Sequence, residues 1–381
     1  MKKILFISNI VKGITNFSFP SIEASHQLGY EFHMAANLAE FTDNASKYGV
    51  TLHHIDLIRN PFSLKNIRAY KQMTTLIRHE KFDVIHCNTP IGGVLGRLCG
   101  KRANVRRIIY TAHGFHFYKG APLINKTLYK WVEMWLAHYT DSIITINNED
   151  YQAAQKFKLR NNGKVYYIPG VGVDTALYKP TGVDRQAIRD PLGLTGDDIV
   201  LIAMGDLIHR KNYASSIRAI AKADNPKLHF LICGEGSQLD ELKALAEDLN
   251  IENQIHFLGF RSDIRELLQI ADIFLFTTYQ EGLPRSMMEA MAAGLPCIAS
   301  GIRGNTDLIE NGRGGYLCGP EDVGAFAESI NILASDESKR RFMGLHNLET
   351  IAQFDVSNVK NEIRELYDKE LEQVAMEGVP K

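Results

Sequence analysis

The chain has 381 residues, 45% hydrophobic and 23% charged, with a formal net charge of −1. That length suits two domains of ordinary size, each with its own core, and the composition excludes a disordered or fibrous chain. The near-zero net charge conceals a split, because residues 1–170 hold 22 Lys and Arg against 11 Asp and Glu while the remainder holds 21 against 33. One half is basic and the other acidic.

The opening Met1-Lys-Lys-Ile-Leu-Phe-Ile-Ser-Asn9 has too short an apolar run for a signal-peptide core and reads as a first strand. No run approaches the roughly 18 apolar residues of a membrane-spanning helix, so a cytoplasmic protein is expected, at most peripheral at the inner face of the cell membrane. Strand-like runs follow at 4–8, 31–35, 84–87, 107–111, 142–146 and 165–168, separated by helix-length segments. This alternation predicts a parallel sheet covered on both faces. The Gly- and Pro-rich stretch Pro169–Pro180 predicts a linker, with the boundary near 172–180. A second strand series runs 199–203, 228–233, 255–258, 273–277 and 296–299. Two doubly wound α/β halves are therefore expected, at 1–172 and 180–355. Beyond them Val359, Ile363, Leu366, Tyr367 and Leu371 have helical apolar spacing; the residues alone leave open which half this helix joins.

Scattered Cys87, Cys99, Cys233, Cys297 and Cys318 lack any Cys-x-x-Cys spacing and read as small buried residues. Basic clusters at Lys65, Arg68, Lys71, Arg78 and Lys81 and at Lys101, Arg102, Arg106 and Arg107 would attract a polyanion, a lipid pyrophosphate or an anionic membrane. A solvated helix face docked on the acidic half explains the same charges. The aromatic stretch containing Tyr129, Trp131, Trp135 and Tyr139, flanked by Lys126 and Lys130, is either a core stripe or a membrane-interface helix.

Each half opens with a strand, then a polar loop, then a helix: Lys12-Gly13 lies in the first such loop and Gly205 to Asn212 in the second. Loops at strand C-terminal ends are where doubly wound sheets bind ligands. The densest signal is the run 281–296, where Glu281 ends a loop, Gly282-Leu283-Pro284 turns, and Met287–Ala293 is helix-forming and closed by Gly294. Pro284 suits the first helical position, which leaves the amides around Leu283, Arg285 and Ser286 to hold an anion such as phosphate. Glu289 can accept from a ribose diol and Glu281 from a sugar. As single residues, the two glutamates equally suit a solvated helix and a helix-start charge.

Glu-x7-Glu with Gly-Leu-Pro after the first Glu and Glu-Ala-Met-Ala-x-Gly-x-Pro at the second resembles the donor-site signature of family 4 glycosyltransferases, retaining enzymes of the GT-B fold. The resemblance implies two Rossmann-like domains facing each other across a cleft, with helix 356–381 packing back onto the N-terminal, acceptor-side domain. It matches Gly205–Asn212 to the family's Gly-Arg-Leu-x-x-x-Lys-Gly phosphate loop, with Lys211 at the lysine position and Arg210 beside it. Asp206 departs from the pattern, standing where many members carry arginine. His113, in Tyr110-Thr-Ala-His-Gly-Phe-His116, resembles the histidine that faces the donor sugar. The Gly13 turn would offer amides to the diphosphate, and backbone near Phe260 and Arg261 would read the base.

The implied reaction takes a sugar, a hexose or an N-acetylhexosamine, from a nucleotide donor, expected to be a UDP-sugar, to a lipid-linked saccharide in exopolysaccharide or capsule assembly. Catalytic roles fall to His113 and Glu281. Donor binding falls to Gly13, Gly205, Arg210, Lys211, Phe260, Arg261, Gly282, Leu283, Pro284, Arg285 and Glu289. No cofactor is implied, the sugar nucleotide being a substrate, and no nucleic-acid partner. The chain has no Asp-x-Asp pair to hold a divalent ion, which agrees with metal-independent transfer. A non-catalytic sugar-nucleotide-binding scaffold and a GT-B-like epimerase are the alternative readings, since a fold does not fix a reaction.

Overall fold

The computed structural model describes residues 2–61 and 63–377, with side chains described as far as Leu371. Among them two compact units separate, one within residues 2–171 and 357–377 and one of residues 172–356.

The first unit holds the strands β1 Lys2–Ile10, β2 Tyr30–Asn37, β3 Val50–His54, β4 Val84–Asn88, β5 Arg107–Ala112, β6 Ser142–Thr145 and β7 Lys164–Tyr167. They form one parallel sheet in the order β3-β2-β1-β4-β5-β6-β7. The second unit holds β8 Ile199–Met204, β9 Leu228–Cys233, β10 Ile255–Gly259, β11 Ile273–Phe276, β12 Cys297–Ser300 and β13 Gly315–Cys318, ordered β10-β9-β8-β11-β12-β13 and again parallel. In each sheet the chain first winds outward to one edge and then crosses to the other side. Topological switch points therefore lie between β1 and β4 and between β8 and β11, where crevices open at strand C-terminal ends.

Alternation along the central strands explains the two covered faces. Leu5 and Ile7 of β1 pack with Met73, Ile85 and Cys87, while Ile4 and Phe6 pack on the other face with Phe32, Met34 and Tyr367. Likewise Val200, Ile202 and Met204 of β8 join one cluster and Leu201 and Ala203 the other. All five cysteines are free and buried.

The edge strands β3 and β13 were not expected. Each has a single neighbour and only partial burial, so Val-Thr-Leu-His-His and Gly-Tyr-Leu-Cys never show the continuous apolar run of a central strand. The stretch read as a linker is also different: residues 172–180 belong to the second unit. Val173 bridges to Asp355, and Asp355 Oδ2 accepts from Thr175 N and Oγ1 at 3.1 and 2.6 Å. Glycine and proline there shape a turn that is anchored by hydrogen bonds.

The last helix, Val356–Glu377, buries Val359, Leu366, Tyr367 and Leu371 in the first unit's Ile4–Phe6 cluster. Tyr367 Oη lies 2.5 Å from His86 Nδ1, and Tyr166 Oη donates to Glu370 at 2.7 Å. Residues 378–381, expected in this helix, lie outside the described residues. Among the described residues no helix is long and apolar enough to cross a membrane.

The aromatic stretch settles on the surface. Trp131 and Trp135 are 63% and 40% exposed, with ring planes stacked at 6.3 Å and 3°. Its inward anchors are Leu136, Ala137 and Glu133, the last paired at 2.8 Å with the fully buried Arg97.

Candidate active site

The loop after β8 and the loop after β11 flank the second unit's switch point and are laced together. Asn212, in the left-handed region at φ 53°, donates from Nδ2 to Thr277 O at 3.0 Å and to Pro320 O at 2.9 Å. Thr277 Oγ1 donates back to Asn212 O at 2.7 Å, Tyr279 N to Arg210 O at 2.9 Å, and Thr278 Oγ1 to Arg210 O at 3.1 Å. These bonds fix where the side chains of Arg210 and Lys211 point.

Both cations reach the same atom. Arg210 Nη1 and Lys211 Nζ each lie 2.9 Å from Glu281 Oε1, which also accepts from Thr278 Oγ1 at 3.0 Å. Lys211 and Glu281 are sheltered, with side chains 12% and 11% exposed, whereas Arg210 is 40% exposed. Charge-assisted bonds of about 1.5–3 kcal/mol therefore belong to Lys211, and the Arg210 contact is weakened by solvent. Lys211 Nζ also sits 4.8 Å over the Phe276 ring. Two cations against one carboxylate leave a positive excess at a strand end, which suits an anionic ligand.

Close backbone packing forms the loop. Gly205 is at φ +144° and Gly234 at φ +153°, and a Cβ on Gly234 would stand 2.0 Å from Gly205 O. The lone Gly234-x-Gly236 is thus the seat of the Lys211 loop. On the other side, Gly304 at φ +81° packs so that a Cβ would lie 2.4 Å from Gly282 O, and Arg303 Nε donates to Glu281 O at 3.1 Å. Asp206, the second residue of the Gly205–Asn212 loop, is exposed.

Helix Arg285–Ala292 starts one residue later than expected: Pro284, with ψ 114°, is the extended cap residue and supplies no side-chain cap. The first-turn amides of Arg285, Ser286 and Met287 then have no intrahelical acceptor, the arrangement that receives anions. Leu283 packs against the second unit's core, and Gly282 touches the Gly304 turn. Glu289 is on the helix's second turn, 13% exposed, and accepts from Arg285 Nε at 2.9 Å. Burial first, and then the Glu289 charge, push the Tyr178 phenol up to about 12. Glu289 is therefore already engaged by two side chains.

Phe260 and Arg261 follow β10, two strands from β8 and so about 10 Å away along the same sheet edge. Phe260 is 80% exposed. Arg261 is held by Asp263, with Nε at 2.7 Å from Oδ1. Among the described residues no three His, Cys, Asp or Glu side chains gather as metal ligands.

His113 and Gly13 belong to the first unit. Gly13 follows β1, and the neighbouring Ile14 N donates to Asp43 Oδ2 at 3.1 Å. His113 comes directly after β5, its ring 4.6 Å from that of Phe17 and its Nε2 3.3 Å from Asn88 Oδ1. Burial holds its pKa down at about 4, so the imidazole is neutral at pH 7.

Asn88 ends β4 at this unit's switch point and was not singled out in the sequence. Its side chain is 2% exposed, yet Nδ2 has no partner among the described residues. A buried unpaired donor costs about 1–3 kcal/mol. The next residue, Thr89, has φ 64° and ψ 157°, a region a β-branched residue enters only under constraint, at about 1–3 kcal/mol. Neither polar residue carries a sequence signal beyond its place after a strand.

Comparison with known proteins adds a pattern described as "Glycosyl transferases group 1", which matches residues 184–346, and one described as "Glycosyl transferase 4-like", which matches residues 3–147. A Bacillus subtilis protein named putative glycosyltransferase EpsD is 36% identical over 371 residues, 96% of each chain. An Escherichia coli enzyme named UDP-Gal:alpha-D-GlcNAc-diphosphoundecaprenol alpha-1,3-galactosyltransferase is 29% identical over 318 residues, 82% of this chain and 81% of that one. In fold, the crystal structure of Anabaena HepE in complex with UDP superposes with a TM-score of 0.78 at 22% identity, covering 97% of this chain and all of that one.

Proposed function

Since the chain belongs to the group 1 glycosyltransferases of GT-B fold, we propose that it transfers a hexose or N-acetylhexosamine from a UDP-sugar to a lipid-linked saccharide, with retention of configuration, in exopolysaccharide or capsule assembly. The observation that carries the reading is the meeting of Arg210, Lys211 and Glu281 at the second switch point, beside the open helix start at Pro284. UDP is bound in the HepE crystals, and the Escherichia coli relative is named for a UDP-galactose donor and a diphosphoundecaprenol acceptor.

In this reading the diphosphate takes the cations of Lys211 and Arg210 and the first-turn amides of Arg285 and Ser286, which stabilise the leaving group without a metal ion. Gly205 gives the loop its close approach. Phe260 and Arg261 offer backbone to the base. Glu289 takes the ribose once Arg285 turns from it to phosphate. Glu281 contacts the transferred sugar, and in the first unit His113 takes a substrate hydroxyl. The bond from C1 to the β-phosphate oxygen breaks, the acceptor oxygen bonds to C1 on the same face, and its proton passes to the departing phosphate.

The acceptor's membrane is met by the first unit. Exposed Leu123, Ile124, Trp131 and Trp135 stand on one stretch with exposed Lys126 and Lys130, an amphipathic basic surface suited to the anionic inner face of a cell membrane. Flotation with phosphatidylglycerol vesicles checks this: Trp131→Ala with Trp135→Ala is expected to leave the protein in the aqueous fraction.

Calorimetric titration with UDP, GDP and ADP in EDTA, repeated on Lys211→Ala, tests the donor site. UDP-selective binding that survives EDTA and is lost in the variant is expected; a folded protein that binds no nucleotide would overturn the assignment. Asp206, at a position where an arginine is usual, favours a second reading as a sugar-nucleotide-binding scaffold, which predicts UDP binding without turnover of any UDP-sugar.

A further inference from the structure

Four polar side chains line one corner of the first unit where β4 and β5 end. Asn88 pairs with Thr111 in the strand register, His86 lies two residues before Asn88, and His113 two residues after Thr111. A cavity of about 30 Å³, lined among others by these four and Phe17, is large enough for one water-sized oxygen. His86 is already committed, with Nδ1 2.5 Å from Tyr367 Oη and Nε2 2.7 Å from Thr111 Oγ1. The groups that remain are the Asn88 amide and the His113 imidazole.

We propose that Asn88 is the positioning residue for His113, holding the imidazole as the Nε2–H tautomer so that Nδ1 is its bare acceptor, while Asn88 Nδ2 donates to an oxygen brought by the substrate or by water. Three observations support this. Asn88 Oδ1 lies 3.3 Å from His113 Nε2 and, as a carbonyl oxygen, can only accept, so this contact is a hydrogen bond when the proton is on Nε2. Among the described residues the Asn88 Nδ2 group is buried without a partner, at the wall of the cavity. Thr89, fixed in its constrained backbone conformation, has its hydroxyl on Asn88 O, and Asn9 Oδ1 accepts from Gly92 N at 2.7 Å, so the turn that presents Asn88 is tightly determined. Phe17 against the ring leaves His113 little freedom to rotate. A histidine fixed this way accepts a hydrogen bond from a sugar or acceptor hydroxyl and does not donate one.

The inference rests on the reading that His113 touches substrate, and the test separates the two. Protein labelled with ¹⁵N-histidine gives the tautomer of each ring from its nitrogen shifts, and His113→Gln assigns the signal. The wild type is expected to show His113 protonated on Nε2. Asn88→Asp keeps an acceptor at Nε2 and is expected to keep that tautomer; Asn88→Leu removes it and is expected to give a mixed signal. In sugar transfer Asn88→Leu should lower kcat roughly 10- to 100-fold, by analogy with the loss of a partner that orients a metal-bound histidine, with the donor KM changed by less than about threefold. A wild-type His113 protonated on Nδ1, or an Asn88→Leu protein with unchanged tautomer and kcat, would overturn the proposal. Full transfer by His113→Gln would instead remove the substrate role of His113, and the tautomer result would still decide whether Asn88 governs it.

Discussion

The two switch points have one topology and opposite chemistry. Between β8 and β11 the groups are ionic: Arg210 and Lys211 share one oxygen of Glu281, next to a helix start with free amides. Between β1 and β4 they are neutral, an asparagine amide and an uncharged imidazole beside a constrained threonine. Parallel winding fixes where a crevice opens, and the residues at the strand ends fix what it can do. An ionic crevice suits a diphosphate that departs with its charge. A neutral one suits hydroxyl groups, where direction matters more than charge.

The sharpest way to break this contrast is to remove its charge centre. Glu281→Gln is expected to lower kcat by roughly 10²–10³ if the carboxylate serves the transition state, while UDP binding holds or tightens because Lys211 and Arg210 are released from it. Loss of UDP binding in parallel calorimetry would show instead that Glu281 only shapes the loop. Next, Gly234→Ala forces a Cβ against Gly205 O at a positive φ; a loss of roughly 3 kcal/mol in urea unfolding is expected, together with loss of UDP binding. Ordinary stability in that variant would mean the loop yields easily.

The neutral crevice should reveal itself in acid. Burial holds His86 at about 3 and His113 at about 4, both below the unfolded value of about 6.5. Because the unfolded chain takes up protons first as pH falls, stability from these groups is complete above about 6.5 and is lost progressively toward 4 for His113 and 3 for His86. Urea midpoints should fall by the equivalent of roughly 4 kcal/mol, about 2 from each imidazole, between pH 6.5 and 4.5. A flat profile would mean the imidazoles become charged within the folded unit. The smallest effect belongs to Arg285→Ala, which breaks an exposed i,i+4 pair to Glu289; stability should change by less than about 0.5 kcal/mol, and any larger fall in UDP affinity would come from the lost diphosphate contact.

Central strands were legible because burial on both faces demands continuous apolar runs, as in Ile4–Ile7 and Val200–Ala203. The edge strands β3 and β13 were not, for the opposite reason. Pro284 was displaced by one position because a proline ring suits the cap as well as the first turn, and only ψ separates the two. The aromatic stretch stayed ambiguous because the same spacing serves a core or a surface; the buried Arg97–Glu133 pair turned Trp131 and Trp135 outward.

The sequence by itself determined two parallel α/β halves and the local chemistry of the strand ends, since both are written in period, turn residues and motifs a few positions long. Only the tertiary structure decided that Lys211 meets Glu281 across 70 residues, and that Asn88 meets His113 across 25. Such meetings depend on strand order and register, which are properties of the whole sheet and of no single segment.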